Sequence, residues 1–465
     1  MTGRALILML LAAGAQARWL EVRSDHFQVL TDAGEAAGRD ALARFEQIRS
    51  VLGPSRESPL PVCVYVFSSA SDFRQFRSGE STRGFYQSGP DRDYIALERT
   101  GEETYRIVYH EYMHLVLNHT SVKLPLWFEE GVAEFYSTIE SAGNRLRIGR
   151  PVRQHVATLL DKRWLTAAEL KAMRKDSPFY REGVRSGLLY AQSWALVHML
   201  NTAPGYREKM EDFAGLLADA VGPDEAFPRA FGKTIERALD DLRAVVSARR
   251  FPVAEVEWRP AASATPQLRS LDEQQALLAR AELFLAVGRE AEALKIYERL
   301  AKGNVDSAAV EHGMGQIMLA RKRYDAARDH LKRAMDLGSR EADVYFEYAM
   351  LLRDSGGSKE EVRDYLKKTL EFSPNYSEAL FLLGNMALLE EQLDEAVGYF
   401  ERATKVLPRQ FYFWHTLALA YHQKEESALS ERAARRALDC AGSPQEEEMA
   451  RAALRQAANP NRDRR

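Results

Sequence analysis

The chain has 465 residues, 28% of them charged and 46% hydrophobic, with a formal net charge of -3. That length exceeds one ordinary domain, and the near-neutral balance gives no reason to invoke nucleic acid or a charged membrane surface as a partner. The only cysteines, Cys63 and Cys440, imply no disulfide framework; each is expected as a small buried residue of its own domain.

Met1 to Ala17 places basic Arg4 before an apolar run from Ala5 to Ala13 and the small-residue ending Ala15-Gln16-Ala17. This is a secretory signal pattern, so an exported protein, periplasmic or extracellular, is expected, with cleavage after Ala17. The run is far short of the ~20 residues a spanning helix needs, and no later segment qualifies. Trp19 to Thr31 and Pro61 to Phe67 read as strands, and Gly34 to Leu52 as the helix between them. Gly84-Phe85-Tyr86-Gln87 and Tyr94-Ile95-Ala96-Leu97 read as short strands around a turn at Gly89-Pro90-Asp91. The second is a candidate edge strand for an extended peptide, although an ordinary hairpin accounts for the pattern equally well.

His110-Glu111-Tyr112-Met113-His114 follows, the His-Glu-x-x-His pattern that zinc-dependent peptidases carry on a helix. Two histidines four apart share one helix face, so both rings reach one ion, while Glu111 lies beside them to act as general base on a water. Ile107, Val108, Leu115 and Val116 supply the apolar side of that helix. A catalytic zinc takes three protein ligands and keeps a fourth position open. His119 does not supply the third in the extended metzincin manner, because Leu117 and Thr120 stand where Gly and His are required; it is expected at the surface or in a cap. Leu124 to Tyr136 reads as a second helix, with Pro125 in its first turn and Glu129, Glu130 and Glu134 as acidic candidates.

Leu124-Pro125-Leu126-Trp127-Phe128-Glu129-Glu130-Gly131-Val132-Ala133-Glu134 after such a histidine helix resembles the gluzincin peptidases, and most nearly the bacterial peptidase MA-like group. The resemblance implies Zn2+ held by His110, His114 and Glu130, with Glu134 orienting a ligand histidine. Tyr190-Ala191-Gln192-Ser193-Trp194-Ala195-Leu196-Val197-His198-Met199-Leu200 is similar to the gluzincin aminopeptidase segment whose tyrosine stabilises the oxyanion, which implies that role for Tyr190. Gln192 and Ser193 replace the Lys and Gly of that segment, and a core tyrosine is the competing reading. The Gly-Ala-Met-Glu-Asn exopeptidase segment is absent, so the resemblance does not extend to aminopeptidase activity.

The expected fold is therefore an α+β zincin-like catalytic domain over residues 18–250, mixed strands first and helices after. Pro252, Pro260 and Pro266 mark residues 251–272 as a linker. Beyond it, residues 273–457 show a 34-residue self-similarity that identifies tetratricopeptide repeats in an all-α solenoid. Five repeats start near Gln274, Ala308, Ala342, Ser377 and Phe411, with one residue inserted around Gly356-Gly357. Ala281, Gly315, Ala349, Gly384 and Ala418 align where paired helices approach closely. The fifth repeat departs at Ser430, Glu446 to Gln456 is a candidate capping helix, and residues 458–465 read as a frayed tail. A concave repeat surface takes a peptide or protein partner or else supports the catalytic domain. His312, His330, His415 and His422 carry no ligand spacing. The functional expectation is an exported zinc peptidase acting on a peptide or protein substrate; the alternative is a protein-interaction scaffold with a catalytically silent peptidase-like domain.

Overall fold

A computed structural model describes residues 19–53, 58–76, 83–99, 103–120, 124–161, 163–174, 183–219, 221–258, 265–303 and 307–458. The expected signal segment lies outside the described residues, as do residues 459–465. Among the described residues no helix is long and apolar enough to cross a membrane.

The front part is built on a six-stranded sheet. Its strands are β1 (Leu20–Arg23), β2 (Phe27–Thr31), β3 (Val62–Phe67), β4 (Gly84–Ser88), β5 (Asp93–Glu98) and β9 (Gln267–Ser270), in the order β4-β5-β3-β2-β1-β9. β2, β3 and β5 are parallel, and the outer neighbours β4, β1 and β9 pair antiparallel. All six residues of β3 are buried, as a parallel strand covered on both faces requires. Val62, Val64 and Val66 face a core shared with α1 (Glu35–Leu52) and α3 (Glu103–Asn118). Cys63, Tyr65 and Phe67 face the opposite way, into a core shared with the first repeats. Between β3 and β4 lies the short α2 (Ala70–Arg74).

After α3 come α4 (Leu126–Tyr136), the hairpin β6 (Glu140–Ala142) and β7 (Arg145–Ile148), α5 (Arg153–Asp161), α6 (Ala167–Ala172), α7 (Gly183–Thr202), α8 (Met210–Ala218), α9 (Pro223–Phe231) and α10 (Ile235–Ser247). The β6–β7 hairpin has no counterpart in the sequence reading. It pairs with β8 (Ala254–Glu257) in a second, three-stranded sheet. Residues 251–272 are thus not a free linker: β8 completes one sheet and β9 the other, because both strands find open edges with unpaired backbone groups. Pro125 is the N-cap of α4 rather than a first-turn residue.

The repeats pair α11 (Glu273–Ala286) with α12 (Glu290–Lys302), α13 (Ala308–Ala320) with α14 (Tyr324–Asp336), α15 (Ala342–Asp354) with α16 (Lys359–Phe372), α17 (Ser377–Leu389) with α18 (Leu393–Val406), and α19 (Phe411–Gln423) with α20 (Ser427–Cys440); α21 (Pro444–Ala458) follows. This is a tetratricopeptide-type solenoid in the expected register. The close-approach positions are real: a Cβ at Gly384 would lie 2.6 Å from the Phe400 ring, and one at Gly315 would lie 3.0 Å from Leu331. The inserted residue falls in the turn 355–358, where Gly356 takes a left-handed φ of 80°. Ser430 does not break the fifth repeat. Its hydroxyl, buried at a small-residue position, donates to the Ala418 carbonyl at 2.9 Å.

The solenoid wraps the free face of the six-stranded sheet. Phe76 stacks on Phe284 at 4.1 Å between ring centroids, and the Tyr65 hydroxyl donates to the Ala279 carbonyl at 2.8 Å. Farther along, Leu60 packs among Leu380, Ala403, Val406 and Phe413. Cys63 is buried within this shared core, Cys440 is only half-buried, and no disulfide joins them.

Candidate metal centre

His110 and His114 lie on α3 and Glu130 on α4, and the crossing of the two helices brings three donor atoms together. His110 Nε2 and His114 Nε2 are 3.0 Å apart; Glu130 Oε2 is 3.3 Å from the latter and 3.6 Å from the former. Four ligands held tetrahedrally at ~2.0–2.1 Å from zinc stand ~3.3 Å from one another, so this triangle has the edge length of one tetrahedral face. No other group of three or more His, Cys, Asp or Glu among the described residues meets the same geometry. Two imidazoles and a carboxylate are a donor set suited to zinc.

Gly131 sets how closely α4 can lie against α7. A Cβ there would fall 2.5 Å from the Ser193 carbonyl oxygen of α7 and 2.5 Å from Val197, so only glycine lets α4 lie against α7. α7 in turn carries Tyr190, whose ring stands edge-on to that of His110 at 6.2 Å between centroids. Gln192, where the resembling segment has Lys, is buried and bonds both the amide and the carbonyl of Leu165 at 2.9 Å, so its side chain serves packing rather than the metal face. Glu111 follows His110 on α3. A Cβ built on Gly84 would lie 3.4 Å from its Cγ, which sets the stem of the base candidate against the start of β4. β4, not β5, is the edge strand of the sheet; β5 is enclosed between β4 and β3, which corrects the sequence expectation.

Adjacent carboxylates on α4 part company. Glu129 Oε1 accepts from Arg409 Nη1 of the α18–α19 turn at 2.7 Å, facing the repeats, while Glu130 faces the histidines. Glu134, one turn on, sits 3.5 Å from His110 Nδ1 and also accepts from Arg106 Nη2 at 2.7 Å and pairs with His155 Nε2 at 3.1 Å. Burial pushes its carboxyl upward, but the His155 hydrogen bond and the charges of His110, His155 and Arg106 outweigh that and hold it at about 2. An ionised Glu134 beside Nδ1 favours the tautomer that leaves Nε2 of His110 free to ligate. Arg106 and His155 were not singled out from sequence. Arg106 stands one turn before His110, a signal that was available, whereas His155 has no spacing that announces it.

His119 follows the last residue of α3, the cap position the sequence suggested, with its N–H bonded to the Leu115 carbonyl, but it is not a surface residue. Its ring is buried, with Nε2 2.7 Å from Asp93 Oδ2 and Nδ1 2.9 Å from the Val406 carbonyl of α18. It ties the end of the histidine helix to the solenoid. His330 pairs with Glu311 at 2.7 Å, away from any donor cluster.

No protein-family model matches the chain. The chain is 30% identical over 115 residues to the cytochrome c-type biogenesis protein CycH of Pseudomonas aeruginosa, a match covering 24% of this chain and 28% of that one. The chain thus spans well under a third of that relative's length. Among solved structures it is similar to YrrB, described as a tetratricopeptide repeat protein with an unusual peptide-binding site, at 21% identity and a TM-score of 0.31 over 39% of this chain and 92% of that one. It is also similar to Pseudomonas aeruginosa PilF at 16% identity and a TM-score of 0.33, over 40% of this chain and 90% of that one.

Proposed function

We propose that the front part of this chain is a zinc-dependent peptidase of the gluzincin type. The observation that carries the reading is the donor triangle of His110, His114 and Glu130, with edges of 3.0, 3.3 and 3.6 Å. These three residues would hold the ion, which when bound polarises a scissile carbonyl and lowers the pKa of a water toward ~7. Glu111 would take the proton from the attacking water and pass it to the leaving amine. Tyr190, beside His110, donates to the oxyanion that forms on the substrate carbonyl. Glu134 holds the His110 ring in its ligating orientation. β4 offers an open edge beside α3, so an extended peptide adds there as a further strand, and hydrolysis within a chain needs no recognition of a terminus. Export through the Met1 to Ala17 segment belongs to the same reading.

The test measures metal and turnover together in the purified protein. Glu111→Gln is expected to keep stoichiometric zinc and lose peptide hydrolysis, and Glu130→Gln to lose both. A wild-type protein that takes up no zinc overturns the reading.

A second reading is a protein-interaction scaffold whose peptidase-like domain turns nothing over. The comparisons favour it: the repeats are the part with recognisable relatives, and the curated match is named for cytochrome c-type biogenesis. Under it, Glu111→Gln leaves every cellular phenotype unchanged.

A further inference from the structure

The β4–β5 turn, Gly89 to Arg92, reaches onto the inner face of the solenoid, where the first helices of four successive repeats enclose a cavity of about 510 Å³ against it. Its charge is unbalanced. The wall carries Asp91, Glu282, Glu290, Glu341, Asp343, Glu347 and Glu378, against the cations Arg92 and His312. Arg92 is committed: its Nη2 donates to Glu341 at 2.6 Å and lies 3.3 Å from Asp91. His312 Nε2 and Glu347 Oε2 are buried with no hydrogen bond, standing 3.7 Å apart. Glu282, half-buried on α11 in the cavity wall, makes no hydrogen bond or close ion pair among the described residues. Burial pushes its carboxyl up, with the nearby Arg92 opposing and Glu341 adding to the shift. Asp343 is pushed up to about 7, chiefly by burial and then by Asp91 and Glu347. Glu347 also accepts from Gln316 Nε2 at 3.0 Å and Asp343 from the Tyr376 hydroxyl at 2.7 Å, but these donors are neutral; carboxylates held out of water in excess of the neighbouring cations are costly, and a further cation entering between them lowers that cost.

We propose that this cavity binds a guanidinium or ammonium side chain, an arginine or lysine on an extended peptide segment. A metal ion does not suit it, because the only metal-sized donor cluster among the described residues is His110, His114 and Glu130. Dispersed carboxylates instead match a flat cation with several N–H donors, and Tyr94 and Phe346 line the same wall. Arg92 shows that this face already accepts a guanidinium from the chain itself. The repeats thus select basic segments, whether or not the metal centre is active.

The experiment titrates full-length Glu111→Gln protein, so that cleavage of the probe cannot mimic or hide binding. The probe is the blocked peptide Ala-Ala-Ala-Arg-Ala-Ala-Ala, followed by saturation-transfer NMR, with its lysine and citrulline counterparts. Saturable binding of the arginine peptide is expected at least 10-fold tighter than of the citrulline peptide, weakened at least 5-fold by Glu282→Gln or Glu347→Gln. Arg92→Gln, which releases Glu341 at the cavity edge, strengthens it. Equal binding of the arginine and citrulline peptides overturns the proposal. So does indifference to both glutamate substitutions, and if either variant fails to fold, an unchanged or weaker affinity in Arg92→Gln does the same.

Discussion

Gly131→Ala tests whether helix contact sets the metal geometry. The added methyl would stand 2.5 Å from the Ser193 carbonyl oxygen and from Val197 Cγ2, and 2.9 Å from the Ser193 carbonyl carbon. Ordinary contact begins near 3.4 Å, so α4 must retreat from α7 by about 0.9 Å. The opposing atoms include helix backbone, which yields little, and overpacking of this kind costs ~1–3 kcal/mol. Glu130 is the neighbouring residue and moves with the helix. Ligand positions tolerate only ~0.2 Å, so the carboxylate leaves the donor triangle and zinc affinity falls by the ~10–100-fold seen when a ligand loses its support. Thermal unfolding reads the first effect, and competition with a zinc chelator the second. Gly187→Ala on the same α7 is the control: its Cβ meets nothing within 4 Å, so it is expected to be neutral or to stabilise by up to ~1 kcal/mol. Gly131→Ala with wild-type melting and wild-type zinc affinity refutes the argument.

Among the other acidic residues of α4, Glu129→Gln is expected to keep full zinc content while weakening the Arg409 contact, as seen by faster limited proteolysis between the two parts; zinc loss in this variant contradicts the opposite facing of Glu129 and Glu130. Phe284→Ala removes a 3%-exposed ring stacked on Phe76 and is expected to cost ~3–5 kcal/mol, measured by denaturant unfolding, because it opens the core between sheet and solenoid. His198 supplies a pH dependence. Burial lowers its pKa from 6.5 to about 4, with the Gly149 and Pro252 carbonyls opposing, so between those values the unfolded chain binds the proton and the folded one does not. Stability from this group is complete above pH 6.5 and is lost as pH falls towards 4, by roughly 3 kcal/mol at ~1.4 kcal/mol per pH unit. His198→Gln should flatten that part of the stability profile; an unchanged acid slope argues against it.

The repeats were legible almost to the residue because their signal is local: small residues recur wherever two helices touch, and the 34-residue period carries the register past the insertion at Gly356-Gly357. The convergence of His110, His114 and Glu130 was legible for a similar reason, since a spacing of four on one helix brings two of the three onto one face. Choosing Glu130 over Glu129 needed the resemblance, because periodicity leaves both on plausible faces; only the packing of α4 between α7 and the α18–α19 turn separates them. Long-range pairing left less trace. β9 lies more than 230 residues from its partner β1, and the proline-rich composition around it pointed to a linker. His119 looked superficial because its partners, Asp93 and the Val406 carbonyl, come from β5 and the fourth repeat.

The sequence does carry one local signal of the wrapping of the sheet by the solenoid, which the reading of Pro61 to Phe67 as a strand did not use. Val62-Cys63-Val64-Tyr65-Val66-Phe67 is apolar at every position, and a strand with one wet face alternates instead. The helices of the front part can cover only the valine face, so Cys63, Tyr65 and Phe67 require a second layer from elsewhere in the chain, and the repeats are the remaining mass of helices. The same docking brings α18 and its turn onto both helices of the candidate metal site, through His119 at the end of α3 and through Glu129 on α4. A solenoid so attached is part of the scaffold that holds His110, His114 and Glu130 in register. Deleting residues 273–465 is therefore expected to expose an apolar sheet face and to abolish zinc binding, measured as metal content of the soluble fraction. A soluble, zinc-loaded front part would show that the repeats are dispensable to the site and that their contact serves binding alone.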